Sequence, residues 1–131
     1  MIKTPQPSPS KVCFLIDDDI DDRNIFQLAL NRLDSSIELV TATNGVKALE
    51  KINADDLFLP DYIFLDLNMP YMSGKECLIK LREIERLKNV PIILHSTVRY
   101  FDELSSHGAS GFVAKANSIE GITKVLAGII K

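Results

Sequence analysis

The chain has 131 residues, of which 46% are hydrophobic and 25% charged, and its formal net charge is −3. This size and composition are typical of one globular domain with a single core, and the negative charge argues against a basic surface for nucleic acid or anionic membranes. No apolar stretch approaches the roughly 20 residues that span a bilayer.

The chain begins with MIKTPQPSPS, in which three prolines and two serines predict a flexible tail over residues 1–10. The tail lacks the apolar centre of a signal peptide. The two cysteines, Cys13 and Cys77, lie too far apart for a metal or redox motif. We therefore expect a cytoplasmic protein whose folded domain covers residues 11–131.

From residue 12 onwards, short apolar runs alternate with helical patterns. The runs predict strands at residues 12–16, 37–42, 62–65, 92–94 and 111–114. Apolar residues at helical spacing predict five helices, with buried faces formed by Ile25, Leu28, Ala29 and Leu33; Val46, Leu49 and Ile52; Leu78, Leu81, Ile84 and Leu87; Val98, Phe101 and Leu104; and Ile119, Ile122, Val125, Leu126 and Ile129. Five βα units in sequence predict an α/β fold with a parallel sheet covered by helices on both faces.

Polar side chains follow four of the predicted strands. In open parallel sheets, ligands bind beyond the carboxyl ends of the strands. We therefore expect three carboxylates, two hydroxyls and one amine to converge at one edge of the sheet: Asp17, Asp18, Asp66, Ser96, Thr97 and Lys115.

The segment FLIDDDIDD, residues 14–22, places five aspartates directly after the first strand. Two carboxylates at about 4 Å repel by roughly 4 kcal/mol at an effective dielectric constant near 20, so either water or a cation must offset this charge. Magnesium prefers oxygen ligands and leaves coordination sites for phosphate and water. Asp17, Asp18 and Asp66 are the candidate ligands, whereas Asp19, Asp21 and Asp22 are predicted to be solvated or to begin the first helix.

Asp66 lies at a strand end, ahead of the proline- and glycine-containing loop LNMPYMSG. A carboxylate in this position can act as a nucleophile and form an acyl phosphate. Lys115 would neutralise a phosphate oxygen, and Ser96 would donate a hydrogen bond. Taken singly, each of these residues could instead be a helix cap, a turn residue or a solvated side chain.

Four stretches, FLIDDD, IFLDLNMPYMSG, PIILHST and GASGFVAK, resemble the receiver domain of two-component response regulators across about residues 11–131. The resemblance implies a flavodoxin-like fold with strand order 2-1-3-4-5. A member of this family is a known example of that order. It also implies a Mg²⁺ or Mn²⁺ cofactor. The phosphoryl donor would be a sensor histidine kinase or a histidine phosphotransfer protein, and the receiver itself would catalyse the transfer.

The same resemblance implies a role for each matching residue. Asp66 matches the phosphoacceptor and Lys115 the family's lysine. Asp17 and Asp18 match the acidic pair, with Asp18 the closer metal ligand, and Asn68 matches the residue whose backbone carbonyl completes the metal shell. Ser96 matches the switch hydroxyl, and Phe112 matches the switch aromatic.

The resemblance further implies an output face made by the fourth helix, the fifth strand and the fifth helix, which would bind a downstream protein. Because no residues follow Lys131, we expect a stand-alone receiver without direct DNA binding or membrane association.

Two positions depart from the family pattern. The family usually follows its lysine with proline, often through a cis peptide bond, but this chain has Ala116. A cis bond without proline costs about 2.5–4 kcal/mol, so we expect a trans bond and a rearranged loop. Thr97 is bulkier than the residue usual beside the phosphorylation site, and Val98 offers no polar group to orient water. Both predict restricted access and slow hydrolysis of the aspartyl phosphate.

Two other functional classes are compatible with parts of this pattern. A phosphohydrolase that acts through an aspartyl phosphate typically needs a second acid two residues after its nucleophile, and here that residue is Asn68, which cannot act as a general acid. A receiver-like module could also bind a partner without being phosphorylated, although the complete set of acids, hydroxyl and lysine argues against this class.

Overall fold

The computed structural model describes residues 11–97, 104–116 and 118–130. It contains five strands, β1 (Val12–Ile16), β2 (Glu38–Ala42), β3 (Tyr62–Leu65), β4 (Ile92–Ser96) and β5 (Gly111–Ala114). Helices α1 (Ile20–Leu33), α2 (Gly45–Ala54) and α3 (Gly74–Arg82) alternate with them, and the C-terminal helix is Ile119–Ile129. Short 3₁₀ turns occur at Glu85–Leu87 and Ser105–His107. The predicted tail, Val98 and Phe101 lie outside the described residues.

The five strands form one parallel sheet in the order β2-β1-β3-β4-β5. The predicted flavodoxin-like α/β fold and its strand order are therefore confirmed. Alternate residues of each strand face opposite sides of the sheet, and the core accordingly divides into two clusters. Phe14 and Ile63 belong to the cluster shared with α2 and α3, whereas Leu15 and Phe64 belong to the one shared with α1 and the C-terminal helix.

The predicted buried faces of the helices are correct in part. On α1, Leu28 is 49% exposed, and the buried residues are Phe26, Ala29 and Leu30. The prediction for Leu28 is wrong because α1 packs against both the sheet and the C-terminal helix, and this double contact determines which side of the helix is covered. Val46 on α2 is likewise exposed, at 39%.

Two element boundaries also differ from the prediction. The third apolar stripe is not one helix, because α3 ends at Arg82 and Leu87 lies in the following 3₁₀ turn. Strand β4 extends to Ser96, two residues beyond its predicted end. Its last two residues, His95 and Ser96, are polar but buried, so polarity was a poor guide to the end of this strand.

The remaining observations concern the Lys115–Ala116 peptide bond and the length of the helices. No peptide bond between described residues is cis, so the Lys115–Ala116 bond is trans, as expected. Within the described ranges, none of the helices is both long and apolar enough to cross a membrane.

Candidate functional site

The backbone brings Asp17, Asp66 and Lys115 to one edge of the sheet. Each of the three residues directly follows a strand, and its amide donates one further hydrogen bond to the neighbouring strand. Asp17 donates to Ala42 at 3.0 Å, Asp66 to Ile16 at 3.0 Å, and Lys115 to Ser96 at 3.1 Å. These bonds fix the three residues relative to the sheet, so their side chains start from defined positions.

The ammonium group of Lys115 lies among three carboxylates. Its Nζ is 2.6 Å from Asp22 Oδ2, 3.2 Å from Asp17 Oδ2 and 3.3 Å from Asp66 Oδ2. The side chain of Lys115 is 14% exposed, and those of Asp17 and Asp66 are 0% and 5% exposed. The predicted convergence of acids and amine is therefore present, with Lys115, Asp17 and Asp66 largely closed to water. Asp18, the third predicted acid, is exposed.

Local turns orient the acidic side chains. The Asp17 carboxylate accepts a hydrogen bond from the Asp19 amide at 2.9 Å, and the Asp66 carboxylate accepts one from the Asn68 amide at 3.2 Å. Asp19 caps α1 by accepting from the amides of Asp21 and Asp22. The three aspartates beyond the acidic pair thus begin the first helix, as predicted.

The closeness of these groups shifts their pKa values. Burial raises the pKa of Asp17 to about 6, and the charge of Asp66 adds to the shift, although the Asp19 amide and Lys115 oppose it. Burial likewise raises the pKa of Asp66 despite the neighbouring Lys115. Burial lowers the pKa of Lys115, but the hydrogen bond to Asp22 and the charges of Asp17 and Asp66 outweigh it, so the net shift is upward. The site therefore holds more negative charge than one lysine neutralises.

Asp17, Asp18 and Asp66 each offer a carboxylate oxygen, and these three oxygens lie within 4.8 Å of one another. Asp17 Oδ2 is buried and has no hydrogen-bond partner among the described residues, although it lies at ion-pair distance from Lys115. An oxygen-only set that includes buried carboxylates suits a hard divalent cation such as Mg²⁺. Asn68 lies exposed in the adjoining loop, and the role of its carbonyl as a ligand stays a prediction.

The predicted switch residues lie on neighbouring strands. Ser96 is fully buried at the end of β4, and Phe112 is half-buried on β5. Ser96 is paired with Ala114, and Phe112 is paired with Leu94, so both side chains are on the same face of the sheet, two residues apart in register. Thr97 is exposed directly after β4, and Val98 is not among the described residues. The roles of all four remain predictions.

Neither the contact of Asp22 with Lys115 nor the burial of His95 was predicted from the residue pattern. Asp22 was predicted to be solvated or to begin the first helix, and it does lie in the first turn of α1, from which it also reaches Lys115. His95 is 3% exposed, and neither ring nitrogen has a hydrogen-bond partner among the described residues. Burial lowers the pKa of His95 to about 4, so this histidine is neutral at pH 7, with its ring 5.7 Å from that of Phe26.

Gly74 allows α3 to begin against the loop that follows Asp66. A Cβ atom at this position would lie 2.5 Å from the Cα of Leu67 and 2.8 Å from the carbonyl oxygen of Asp66. Both contacts are with backbone atoms, which cannot move aside without displacing the loop. The close approach also permits the Gly74 amide to donate to the Leu67 carbonyl at 3.1 Å.

Gly74→Ala is expected to lower the free energy of unfolding by about 1–3 kcal/mol, the usual cost of overpacking. Gly128→Ala is the matched control, because Gly128 is in the C-terminal helix and an added Cβ there meets nothing within 4 Å. That change should stabilise the protein by about 0.5–1 kcal/mol through helix propensity. Urea denaturation of both variants measures the difference, and equal effects would contradict the steric explanation.

Comparison with known proteins agrees with this geometry. The family model for the response regulator receiver domain matches residues 13–127. The sensor histidine kinase CheAY of Helicobacter pylori is 35% identical over 128 residues, which cover 95% of this chain but only 16% of that protein. Response regulator Rcp1 of a Synechocystis species is 24% identical, with 95% of this chain and 89% of that protein covered.

Solved structures show the same likeness. The phosphorylated cyanobacterial phytochrome response regulator RcpA superposes with a TM-score of 0.81 at 26% identity, covering 92% of this chain and 91% of that chain. The response regulator TrrA of Thermotoga maritima, in complex with Mg²⁺ and BeF, has a TM-score of 0.73 at 26% identity, covering 92% and 99%. Since the family model matches most of its length, the chain belongs to the receiver-domain family of two-component response regulators.

Proposed function

We propose that this chain is a phosphorylation switch in which Asp66 accepts a phosphoryl group from a sensor histidine kinase or a histidine phosphotransfer protein. The observation that carries the proposal is the position of the Asp66 carboxylate, which is 5% exposed and lies 3.3 Å from Lys115 Nζ. A buried carboxylate can accept a phosphoryl group to form an acyl phosphate, and the ammonium group beside it can neutralise the charge of the phosphoryl oxygens. The similar RcpA structure is phosphorylated and the similar TrrA structure is a complex with Mg²⁺ and BeF, and both support this proposal.

In the proposed reaction, one phosphoryl group is transferred from the donor phosphohistidine to Asp66. A carboxylate oxygen of Asp66 forms a bond to phosphorus while the phosphorus–nitrogen bond of the donor phosphohistidine breaks, and the nitrogen keeps the electron pair. Lys115 would bind a phosphoryl oxygen as a positive charge, and the Ser96 hydroxyl would donate a hydrogen bond to another. Catalysis of phosphoryl transfer depends mainly on positioning the reacting groups and neutralising their charge. This arrangement of side chains can supply both.

The acidic group is proposed to hold Mg²⁺ or Mn²⁺ through Asp17, Asp18, Asp66 and the carbonyl of Asn68. When bound, the cation neutralises charge on the phosphoryl oxygens. The carboxylates fit this task because their oxygens lie within 4.8 Å of one another, and Asp17 Oδ2 is buried with no hydrogen-bond partner in the part of the chain that the structure describes.

The output is proposed to be a protein interaction at the face that the resemblance implies, which includes β5 and the C-terminal helix. A phosphoryl group on Asp66 adds charge and acceptor oxygens that Ser96 and Lys115 can bind. Ser96 ends β4 and Lys115 follows β5, the two neighbouring strands at one side of the sheet. Phe112, on the same face of the sheet as Ser96, is the proposed aromatic that changes position in response.

Incubation with Mg²⁺ and acetyl phosphate, followed by intact mass measurement, tests the function directly. We expect one added phosphoryl group on the wild type and none on Asp66→Asn. Asp21→Asn is the control, because Asp21 is exposed in the first turn of α1 and should be phosphorylated normally. No adduct on the wild type would indicate a binding module instead, and continuous release of phosphate in large excess over protein would indicate a phosphohydrolase.

A further inference from the structure

Asp22 is the closest partner of Lys115 in the site. The distance from Nζ to Asp22 Oδ2 is 2.6 Å, which is typical of a charge-assisted hydrogen bond, whereas Asp17 and Asp66 lie at 3.2 and 3.3 Å. The two residues are 93 positions apart in the chain. The contact therefore joins α1 directly to the residue that follows β5.

An ammonium group has three N–H donors and no acceptor, and Lys115 faces three carboxylates. Two of them, Asp17 and Asp66, also supply oxygens to the candidate cation site, and Asp66 is the proposed phosphoacceptor. Their oxygens are therefore shared with other positive groups. Asp22 is not in that cluster, so among the described carboxylates that face Lys115 it is the one that is not also a candidate cation ligand.

The position of Asp22 is itself well defined. Its amide donates to the Asp19 carboxylate at 3.2 Å, within the cap of α1. The next residue, Arg23, donates from its guanidinium to the carbonyl of Asp17 at 2.9 Å, so the same turn is tied to the end of β1. The Asp22 side chain is 30% exposed. A carboxylate on a capped and anchored helical turn can restrain a long, rotamer-rich lysine side chain.

We propose that Asp22 is a positioning residue that holds the Lys115 ammonium group within reach of Asp66 during phosphoryl transfer. This inference rests on the proposed function. In the reaction with acetyl phosphate, an oxygen of Asp66 forms a bond to phosphorus while the bond from phosphorus to the acetate oxygen breaks and acetate leaves. Lys115 assists only where its charge lies beside the transferred group, and Asp22 keeps it there.

The first test compares rates of phosphorylation by acetyl phosphate at saturating Mg²⁺. Asp22→Asn should lower the rate constant about tenfold, and Asp22→Glu, which keeps the charge, should stay within about threefold of the wild type. Asp21→Asn is the matched control, since Asp21 lies in the same turn, is exposed and forms no ion pair within the part of the chain that the structure describes. Urea denaturation establishes that every variant is folded under the assay conditions.

The second test reports on the lysine without any phosphorylation. Trace reductive methylation of the folded protein, read by peptide mass, measures how readily each lysine reacts, and the exposed lysines serve as internal references. Asp22→Asn should make Lys115 react several times faster, because the amine is no longer held by its closest acceptor, while Asp21→Asn should leave it unchanged.

The two tests separate the possible failures. The positioning role is overturned if Asp22→Asn is phosphorylated as fast as Asp21→Asn, or faster than the wild type, which would make Asp22 a competitor of the phosphoryl group. It is also overturned if Lys115 reacts equally in Asp22→Asn and the wild type. A wild type that takes no phosphoryl group contradicts the proposed function instead, and methylation of Lys115 then tests the anchoring contact alone.

Discussion

Lys115→Met is expected to lower the free energy of unfolding by about 3–5 kcal/mol at pH 8 without divalent cations, the usual cost of removing one partner of a buried ion pair. The lysine is 14% exposed and lies within 3.3 Å of three carboxylates. Without it, the buried carboxylates of Asp17 and Asp66 lose the ammonium group that faces them. Phosphorylation of this variant should also fall by at least about a hundredfold, since the charge that faces the phosphoryl oxygens is lost.

The pH dependence of this loss has a definite sign. The pKa of Lys115 is raised on folding, so its contribution is fully present below the unfolded pKa of about 10.4 and is lost only as the pH rises through the higher folded value. The carboxylates titrate at lower pH but with the same sign, because their raised pKa values also make folding less favourable as the pH rises. With the lysine gone, their already raised pKa values rise further, so at pH 5 the variant takes up protons and its deficit should be smaller than at pH 8.

Urea denaturation of the wild type and Lys115→Met at pH 5 and pH 8 measures these differences. Lys124→Met is the control, because Lys124 is exposed on the C-terminal helix and should change stability by less than about 0.5 kcal/mol. Millimolar Mg²⁺ should stabilise Lys115→Met more than the wild type, because the cation meets an uncompensated acidic site. A loss as small as that of Lys124→Met at pH 8 would contradict the role of Lys115 in neutralising the site.

Asp17→Asn should have opposite effects on stability and on function. Burial and the charge of Asp66 raise the pKa of Asp17 to about 6, above its value of about 3.9 in an unfolded chain. The ionised form therefore costs up to about 3 kcal/mol at pH values above 6, and this cost disappears as the pH falls towards 4. Because asparagine is neutral and its carbonyl can still accept from the Asp19 amide, the variant should be more stable than the wild type at pH 7.5.

The same change should remove the response to divalent cations and reduce phosphorylation at least about a hundredfold, because a ligand charge is lost from the proposed metal site. Thermal melts with and without 10 mM Mg²⁺ at pH 7.5 test the first effect, and intact mass after acetyl phosphate treatment tests the second. Asp21→Asn should match the wild type in both. Two results would contradict this assignment. The first is an Asp17→Asn variant that is less stable than the wild type at pH 7.5, and the second is a variant that Mg²⁺ stabilises as much as it stabilises the wild type.

The strands and the site-bearing loops were predictable because their signals are local. An apolar run that ends in aspartate, as at Ile16 and Leu65, marks both a buried strand and the polar group that follows it. The general rule for ligand sites in parallel sheets then places Asp17, Asp66 and Lys115 at one edge. Helix faces were less predictable, as Leu28 shows, because the side of a helix that is covered depends on neighbours that come from elsewhere in the chain.

Residue types and their spacing along the chain were enough to predict the parallel α/β fold, the acids, hydroxyl and lysine at the strand ends, and the resemblance to receiver domains. Three features became known from the three-dimensional arrangement: Lys115 lies closest to Asp22, His95 is buried without a hydrogen-bond partner among the described residues, and Gly74 touches the Asp66 loop. Such features depend on how whole helices and strands pack. Differences of about 1 Å in the distance to alternative partners cannot be predicted from the order of residues in the chain.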